Sequence, residues 1–595
     1  MTAPPRDIAA PSSPPEGRIA WRRAWLLAGG ILLLRALYLV LLCPYELAGD
    51  EAHYWDWSRN LSLSYYTKGP GVAWIIAAGR SVFGEAEWAI RLPAAICSSL
   101  TMLALAGMAA SITRRPAAAP WAVALAALMP PFTAAAQFMT IDAPFLTCWT
   151  LAAWAGYHTW RAPTPSRRLA AWALCGLALG IGFDCKYTIL LLAPGIALQF
   201  LLVRRDLLRR PDPYLGLALC VAVFLLAVSP VIVWNMQQDP SWPTLAHQYG
   251  HMKVEGADID VDDGGYEPIW TLEYIAGQLG AVGPPMLALF GLAAVRGLRL
   301  PRRRPAEIDA DGDGASNPDA AGKTKPDIDR DDAIYLLLCG GFTLLFLLAF
   351  SFRTDIEVNW AMPAYITPIV LVAAFLGGEM ACYRDKVRKW QATAEPRPKL
   401  GWLRRKPETP WQVAWHWTIG WGVAAAAIIM LAGHLTLVLP ESGAPLTTEA
   451  FRRVHGHHAR AADVHAARLA ASRAAGDDLL LAADHYMDTS LLAYYLPGRP
   501  TVYCGASRLG SRVNAYDFFP ATDWTDPAIR GRPFLLVGAR ADRWGRAFRF
   551  EAIQQLGDDP KLLLGLGYQG PRRAAELNRN AAVPADRRQP PGEAP

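Results

Sequence analysis

Cysteine pairs of the kind that bind zinc or form closely spaced disulfides are missing from this 595-residue chain. Its nine cysteines include no CxxC motif; seven lie in or at the ends of apolar segments, and Cys504 stands apart near the C-terminal end. The pattern therefore argues against a zinc-thiolate site and a disulfide framework.

Charge is also scarce, at 18% of the residues against 53% that are hydrophobic. The net charge of +6 comes from Lys and Arg in short clusters between apolar blocks, which is typical of the positive-inside rule and not of nucleic-acid binding. The apolar blocks are about 20 residues long, enough to cross a bilayer. The sequence therefore predicts an α-helical polytopic membrane protein.

The apolar blocks predict about eleven transmembrane helices. The preceding segment, 1–20, is Pro-rich and polar and is interpreted as a disordered tail. The first block is too long for a signal-peptide core and lacks a convincing cleavage site. The predicted spans are 24–43, 88–112, 117–137, 143–160, 169–183, 188–203, 215–234, 272–295, 333–352, 363–382 and 413–438.

Basic clusters occur on every second connection, which assigns those connections to the cytoplasmic side. The N-terminus is then cytoplasmic, and the first loop, 44–87, and the region after residue 438 lie outside. Segment 21–438 forms the predicted membrane domain. Segment 439–575 mixes short apolar runs, helical stretches and turns, which predicts a small α/β domain, followed by a disordered tail at 576–595.

Several polar stretches are interpreted as disordered or solvated segments and not as binding sites. The cytoplasmic loop 296–332 is acidic and predicted to be disordered. Its stretch 309–314 resembles the start of a calcium loop, but the twelfth position is Ala320, which argues against calcium. The acidic run within 258–263 favours a solvated outer loop. Four histidines favour a solvated helix face over a metal site: His455, His457, His458 and His465.

Unusual polar residues collect on the predicted outer side, at the ends of spans. Ionisable groups cost roughly 2.5–3.5 kcal/mol each within a membrane, so they are usually functional or mutually paired. Their convergence on one leaflet predicts a single cavity open to that side. The residues are Asp50, Glu51 and Lys68 in the first loop, then Asp142, Asp184, Lys186, Tyr187, Asn235, Glu357, Asn359, Trp360 and Tyr365.

Carboxylates, a lysine and aromatic rings in such a cavity suit transfer of a sugar from a lipid phosphate. A carboxylate accepts the proton of an incoming hydroxyl, a base neutralises the leaving phosphate, and rings contact the sugar. Each residue also has a structural alternative. Asp50 and Asp142 could cap helices, Lys186 could extend to the interface, and the aromatics could form an interfacial belt.

The motifs resemble a known group, the bacterial relatives of dolichyl-phosphate-mannose–protein mannosyltransferase (glycosyltransferase family 39), which include the aminoarabinose transferases that modify lipid A. The resemblance covers roughly residues 21–382. It rests on Asp50-Glu51-Ala52-His53-Tyr54-Trp55, Ile90-Arg91-Leu92-Pro93, Asp142-Ala143-Pro144, the segment from Gly180 to Thr188, Ser229-Pro230 through Trp234-Asn235, and Glu357-Val358-Asn359-Trp360 with Pro363 and Tyr365.

The resemblance implies a GT-C fold in the bacterial inner membrane and an inverting transfer at the periplasmic face. It implies Asp50 as the catalytic base or acceptor-positioning acid, with Glu51 and Asp142 as partners. Donor phosphate contacts are predicted at Lys186, Lys68 and Arg353. Substrate contacts are predicted at Tyr54, Trp55, Tyr66, Tyr187, Asn235, Glu357, Asn359, Trp360 and Tyr365.

One departure concerns Lys68-Gly69-Pro70, where relatives commonly carry His-Pro-Pro, so the donor sugar stays open. The predicted partners are a polyprenyl-phosphate sugar, membrane lipids, and an acceptor that could be lipid A, another envelope glycan or a protein. No cofactor is expected to be required, although a divalent metal at the three carboxylates is possible. A lipid-linked sugar flippase and a non-catalytic scaffold are the alternative functions.

Overall fold

The structure, a computed structural model, describes residues 15–238, 241–247, 267–302, 328–377, 410–438 and 452–572. The predicted tail 576–595, most of tail 1–20, the calcium-like stretch 309–314, the acidic run at 258–263 and the end of span 363–382 lie outside these residues. So does most of the acidic loop 296–332.

Helices dominate the described residues. In chain order they are α1 (Pro15–Leu41), α2 (Gly49–Arg59), α3 (Gly71–Phe83), α4 (Glu87–Thr113), α5 (Ala119–Ala127), α6 (Pro130–Gln137), α7 (Asp142–Arg161), α8 (Pro165–Cys185), α9 (Leu192–Leu198), α10 (Asp212–Ala227), α11 (Ser229–Gln237), α12 (Pro268–Val282), α13 (Pro284–Leu298), α14 (Arg330–Phe350), α15 (Val358–Gly377, beginning as a 3-10 helix), α16 (Pro410–Val438), α17 (His457–Ala475), α18 (Tyr486–Tyr495) and α19 (Ala541–Ala547).

The chain divides into two compact units. Unit 1 comprises residues 1–44 and 68–440, and unit 2 comprises residues 45–67 and 441–595. This division differs from the predicted one, which assigned the whole first loop, 44–87, to the membrane domain. The first part of that loop folds with the C-terminal region, because α2 buries most of its side chains against α18 within unit 2.

Unit 1 is a bundle of apolar helices. Among the described residues, six helices are long and apolar enough to cross a membrane, namely α1, α4, α8, α14, α15 and α16. Three bent pairs raise the number to nine if each pair is one span, with bends of 72° at α5–α6, 53° at α10–α11 and 94° at α12–α13. Each second helix of a pair has Pro in its first turn, where its missing N–H is tolerated.

The described residues of each of the eleven predicted spans are mostly helical and lie in unit 1. Two of them, 143–160 and 188–203, lie outside the nine. Helix α7 is 20 residues long but is not apolar enough to be a candidate span. Segment 187–203 is short and broken into a 3-10 turn, α9 and a π turn. The predicted fold class, a polytopic helical membrane protein with a small C-terminal α/β region, is confirmed.

The C-terminal part of unit 2 is built on a mixed five-stranded sheet. Its strand order is β2-β1-β3-β6-β5, with β1 parallel to β2 and β3, and β6 antiparallel to β3 and β5. A second sheet pairs β4 with β7. The strands are β1 (Leu480–Ala483), β2 (Val502–Cys504), β3 (Phe534–Val537), β4 (Phe548–Arg549), β5 (Ala552–Gln555), β6 (Leu562–Leu566) and β7 (Gly570–Pro571).

Candidate active site

A buried ion pair lies at one end of unit 1, where α7 begins and α8 ends. Asp142 is the first residue of α7, and Lys186 follows the last residue of α8 in extended conformation. The Lys186 Nζ donates to Asp142 Oδ1 at 2.7 Å, and each residue is only 6% exposed. Since a buried charge needs a partner, the antiparallel packing of α7 and α8 explains how both charges are tolerated there.

The second oxygen of Asp142 is held from another part of the chain. The Asn359 side chain, at the start of α15, donates from Nδ2 to Asp142 Oδ2 at 3.0 Å. Asn359 is itself exposed, so the group reaches the surface of unit 1. The structure thus brings together three of the predicted site residues, Asp142, Lys186 and Asn359.

The segment Lys68-Gly69-Pro70 packs against the same end of α8. A Cβ added at Gly69 would lie 2.6 Å from the Cα of Asp184, so only glycine fits this approach. The unusual tripeptide is therefore placed beside the residues that immediately precede Lys186.

Asp184 belongs to the last turn of α8, one residue beyond the predicted span 169–183. It is 6% exposed, and its Oδ1 has no hydrogen-bond partner in the part of the chain that the structure describes. A buried carboxylate oxygen without a donor is costly, about 1–3 kcal/mol, and marks a place where a ligand could bind.

Two other predicted site residues of unit 1 form hydrogen bonds within the fold. The Asn235 amide donates to the Val231 carbonyl and accepts from the Thr244 N–H, at 2.9 and 3.1 Å. Tyr365 is buried and donates to Gln278 Oε1 at 2.9 Å. Both side chains therefore have hydrogen-bond partners within unit 1.

The remaining predicted residues of unit 1 vary in exposure. Tyr187 stacks obliquely on Phe183, with ring centroids 4.5 Å apart, and Trp360 packs partly against the core. Both side chains are half-buried. Arg353, Glu357 and the half-buried Lys68 complete the set, the first two being exposed.

In unit 2, α2 carries the predicted acids Asp50 and Glu51 in its first turn. Glu51 is buried and its Oε2 accepts from the Ala48 N–H at 3.0 Å, so Glu51 caps the helix. Asp50 is exposed. The capping role that the sequence allowed for Asp50 thus belongs to its neighbour.

The aromatic residues that follow are mostly core residues of unit 2. Trp55 is fully buried edge-to-face on Tyr494, with centroids 4.9 Å apart, and Tyr54 is 8% exposed. Tyr66 is less buried and stacks on Phe518 at 5.2 Å. Burial and the nearby Asp517 charge raise the pKa of Tyr66. Of the three, Tyr66 has the most surface left for a ligand.

A polar network inside unit 2 was not predicted. His53 contacts Ser490 Oγ through Nδ1 at 3.1 Å and accepts from Trp57 through Nε2 at 3.1 Å. Ser490 in turn contacts Tyr516, which donates to Asp56 at 2.6 Å. Burial lowers the pKa of His53 to about 3, so the ring is neutral. No spacing signal could reveal it, since its partners lie more than 400 residues apart.

No group of three or more His, Cys, Asp and Glu side chains is arranged to hold a metal ion within the described residues. Of the four histidines that the sequence singled out, three lie on α17 or at its start, namely His457, His458 and His465.

Residues 67–234 match the family described as dolichyl-phosphate-mannose-protein mannosyltransferase. The chain is 30% identical over 236 residues to lipid A galacturonosyltransferase RgtD of Rhizobium johnstonii, covering 40% of this chain and 46% of that protein. It is 31% identical over 253 residues to the undecaprenyl phosphate-alpha-4-amino-4-deoxy-L-arabinose arabinosyl transferase of Pseudomonas savastanoi pv. phaseolicola, covering 38% and 45%. The chain therefore spans about half the length of these curated relatives.

Solved structures of ArnT from Cupriavidus metallidurans share the fold. The apo form has a TM-score of 0.53 at 15% identity, covering 92% of this chain and 98% of that one. The form bound to undecaprenyl phosphate has a TM-score of 0.55 at 15% identity, covering 91% and 97%.

These likenesses show that the chain is a multi-pass membrane protein with the GT-C fold of ArnT. The resemblance predicted from its motifs, to the ArnT-like relatives of dolichyl-phosphate-mannose–protein mannosyltransferase, is confirmed.

Proposed function

We propose that this protein is an inverting glycosyltransferase that moves a sugar from a polyprenyl phosphate to an envelope acceptor. The observation that carries the proposal is the buried Lys186–Asp142 pair, held by Asn359 at the end of unit 1. A lysine has three donors, and the contact with Asp142 uses one of them. The other two can bind oxygens of a phosphate, while Asp142 and Asn359 fix the direction of the ammonium group.

The reaction needs few groups. An acceptor hydroxyl attacks the anomeric carbon on the face opposite the phosphate, forming one C–O bond as the bond to the phosphate oxygen breaks. Asp50 takes the hydroxyl proton, and polyprenyl phosphate leaves with the electron pair. Lys186 stabilises the charge that develops on the phosphate, which is the role expected to matter most for the rate. Lys68 is proposed as a second phosphate contact.

One relative is named for lipid A, which supports lipid A as the acceptor, and the other is named for a sugar carried by undecaprenyl phosphate, which supports a polyprenyl-phosphate donor. The periplasmic face is proposed from the charge pattern. Arg161, Arg168 and Arg204 lie at the opposite end of unit 1 from Lys186, as the positive-inside rule expects if the Lys186 end faces outward.

The test uses the full chain in proteoliposomes with lipid A and a panel of undecaprenyl-phosphate sugars, including aminoarabinose, a uronic acid and a neutral hexose. Wild-type protein should give a glycosylated lipid A, detected by mass spectrometry. Asp50→Asn and Lys186→Gln should abolish or strongly reduce it, whereas the exposed Lys561→Gln should behave as wild type. Full activity of Asp50→Asn would remove that residue as the base.

The same vesicles separate transfer from transport. A flippase would move labelled donor lipid across the bilayer without forming product, which a leaflet-selective label detects. Product that persists after treatment with a chelator would show that the reaction needs no divalent ion.

A further inference from the structure

Unit 2 places the cationic side chain of Arg512 close to the first turn of α2. Arg512 is exposed and donates from Nη2 to the Tyr486 hydroxyl at 2.8 Å. Its guanidinium carbon lies 5.1 Å from the centre of the Tyr486 ring. Within the described residues, no carboxylate lies at ion-pair distance from Arg512.

The first turns of α2 and α18 are in contact. A Cβ added at Gly49 would lie 2.8 Å from the Cβ of Met487, so glycine allows this close approach. The rings of His53 and Tyr486 are 4.9 Å apart, one turn further along α2. Asp50, the predicted base, therefore lies next to Tyr486.

The electrostatics agree with this placement. Burial raises the pKa of Tyr486, and the charge of Asp50 raises it further, while Arg512 opposes the shift. The charges of Asp50 and Arg512 therefore both act on the Tyr486 hydroxyl, although residues 50 and 512 are 462 positions apart in the sequence. An arginine held on a tyrosine ring loses little freedom on binding and presents a fork that matches a carboxylate or phosphate.

We propose that Arg512, oriented by Tyr486, binds an anionic oxygen group of a substrate beside Asp50 and so determines substrate specificity. The inference rests on the proposed function and deepens it, since it assigns part of the substrate recognition to the C-terminal segment. The group is a phosphate or a carboxylate, supplied by the acceptor or by the donor. Arg512 is a binding residue here and takes no part in bond making.

The test measures donor and acceptor KM separately for the full chain in nanodiscs. Arg512→Gln should raise one KM about 10- to 100-fold, the size expected when a charge-assisted hydrogen bond is lost, with kcat within about twofold of wild type. Arg512→Lys should recover part of the loss. Tyr486→Phe, which removes the hydroxyl acceptor and keeps the ring, should give a smaller rise. Arg546→Gln, at another exposed arginine of unit 2, is the matched control and should change neither KM.

Two arms identify the source of the anion. An acceptor phosphate predicts a KM effect that disappears with dephosphorylated lipid A, and a donor carboxylate predicts an effect that disappears with a neutral-sugar donor. A donor phosphate predicts an effect on donor KM with every sugar. Unchanged KM values for all substrates, or a fall in kcat alone, would overturn the inference.

The failure of the proposed function gives a different result. In that case wild-type protein makes no product with any donor, and the inference is decided by binding alone. Diphosphorylated lipid A, undecaprenyl phosphate or a uronic-acid donor should then bind the wild-type chain more tightly than Arg512→Gln, measured by tryptophan fluorescence, and equal affinities for all three ligands would overturn it.

Discussion

The two ends of α7 carry buried charges that are arranged in different ways. At its last residue, Arg161 binds Asp329 Oδ2 at 2.5 Å and Asp332 Oδ1 at 3.3 Å. The two carboxylates also accept from each other's backbone N–H at 3.0 Å, and Tyr157 donates to Asp332. All four carboxylate oxygens are used, and the result is a cap for α14 tied to α7.

At its first residue, Asp142 is also fully engaged, by Lys186 and Asn359. The neighbouring Asp184 keeps an oxygen with no donor in the described part of the chain, Lys186 has donors to spare, and Asn359 is exposed. The difference separates a cluster that stabilises the bundle from one with capacity left for a ligand. Loss of the first should affect stability, and loss of the second should affect turnover.

The largest effect is expected at the stabilising end. Arg161→Met leaves two carboxylates buried without their cation and should lower the free energy of unfolding by about 3–5 kcal/mol. Thermal unfolding in detergent measures this loss, and turnover per folded molecule should stay near wild type. A variant that is stable but inactive would break the comparison, because it would place the Arg161 cluster in catalysis.

The next effect is expected at the other end. Lys186→Gln should lower kcat by about 100- to 1000-fold, as found when a donor to developing negative charge is removed. Lys186→Arg keeps the charge and should retain more activity. The measurement is single-turnover transfer with saturating donor. If both variants matched wild type while unfolding earlier, Lys186 would join Arg161 as a structural residue.

A backbone contact tests how closely the first loop is fitted to the site. Gly69→Ala forces a methyl group against Asp184 and should destabilise unit 1 by about 1–3 kcal/mol. Gly29→Ala is the matched control, since nothing lies within 4 Å of a Cβ at Gly29 in α1. It should be neutral or slightly stabilising in the same melting experiment. Equal effects of the two changes would show that Lys68-Gly69-Pro70 is not held against α8.

The smallest effect is expected for the buried His53 network of unit 2, which, like the Arg161 cluster, should contribute to stability. Because the folded pKa of His53, about 3, lies below its usual 6.5, the unfolded chain binds a proton first as the pH falls. Stability should therefore be unaffected above pH 6.5 and decrease below it, by about 1.4 kcal/mol at pH 5.5. Chemical denaturation at pH 7.5 and 5.5 measures it, and His53→Asn should remove this part of the slope. An unchanged slope would show that His53 is protonated in the folded state.

Much of the bundle could be predicted from the sequence. Apolar blocks of about 20 residues depend on local composition, so nine of the eleven predicted spans coincide with candidate spans among the described residues when each bent pair is counted as one. The sequence also indicates that Asp142, Lys186 and Asn359 lie close together, since they end or begin neighbouring helices. Their actual hydrogen bonds depend on rotamers and on helix packing, which no spacing encodes.

The first loop shows where prediction from local sequence fails. Its acids and aromatics have the composition of a sugar-binding loop, but Glu51 caps α2 and Trp55 fills the core of unit 2. Trp55 packs on Tyr494, and the neighbouring His53 contacts Ser490, both from the C-terminal part of the chain. A contact over more than 400 residues leaves no periodicity in the sequence.

The sequence alone therefore determined the fold class and most of the helices, because hydrophobicity and charge act on each segment independently of the rest. Only the tertiary structure decided that Glu51 caps α2, that Asp184 has a carboxylate oxygen with no hydrogen-bond partner among the described residues, and that 45–67 folds with the C-terminal region. Those outcomes depend on which residues contact one another in the folded chain, because both burial and hydrogen bonding require such contacts.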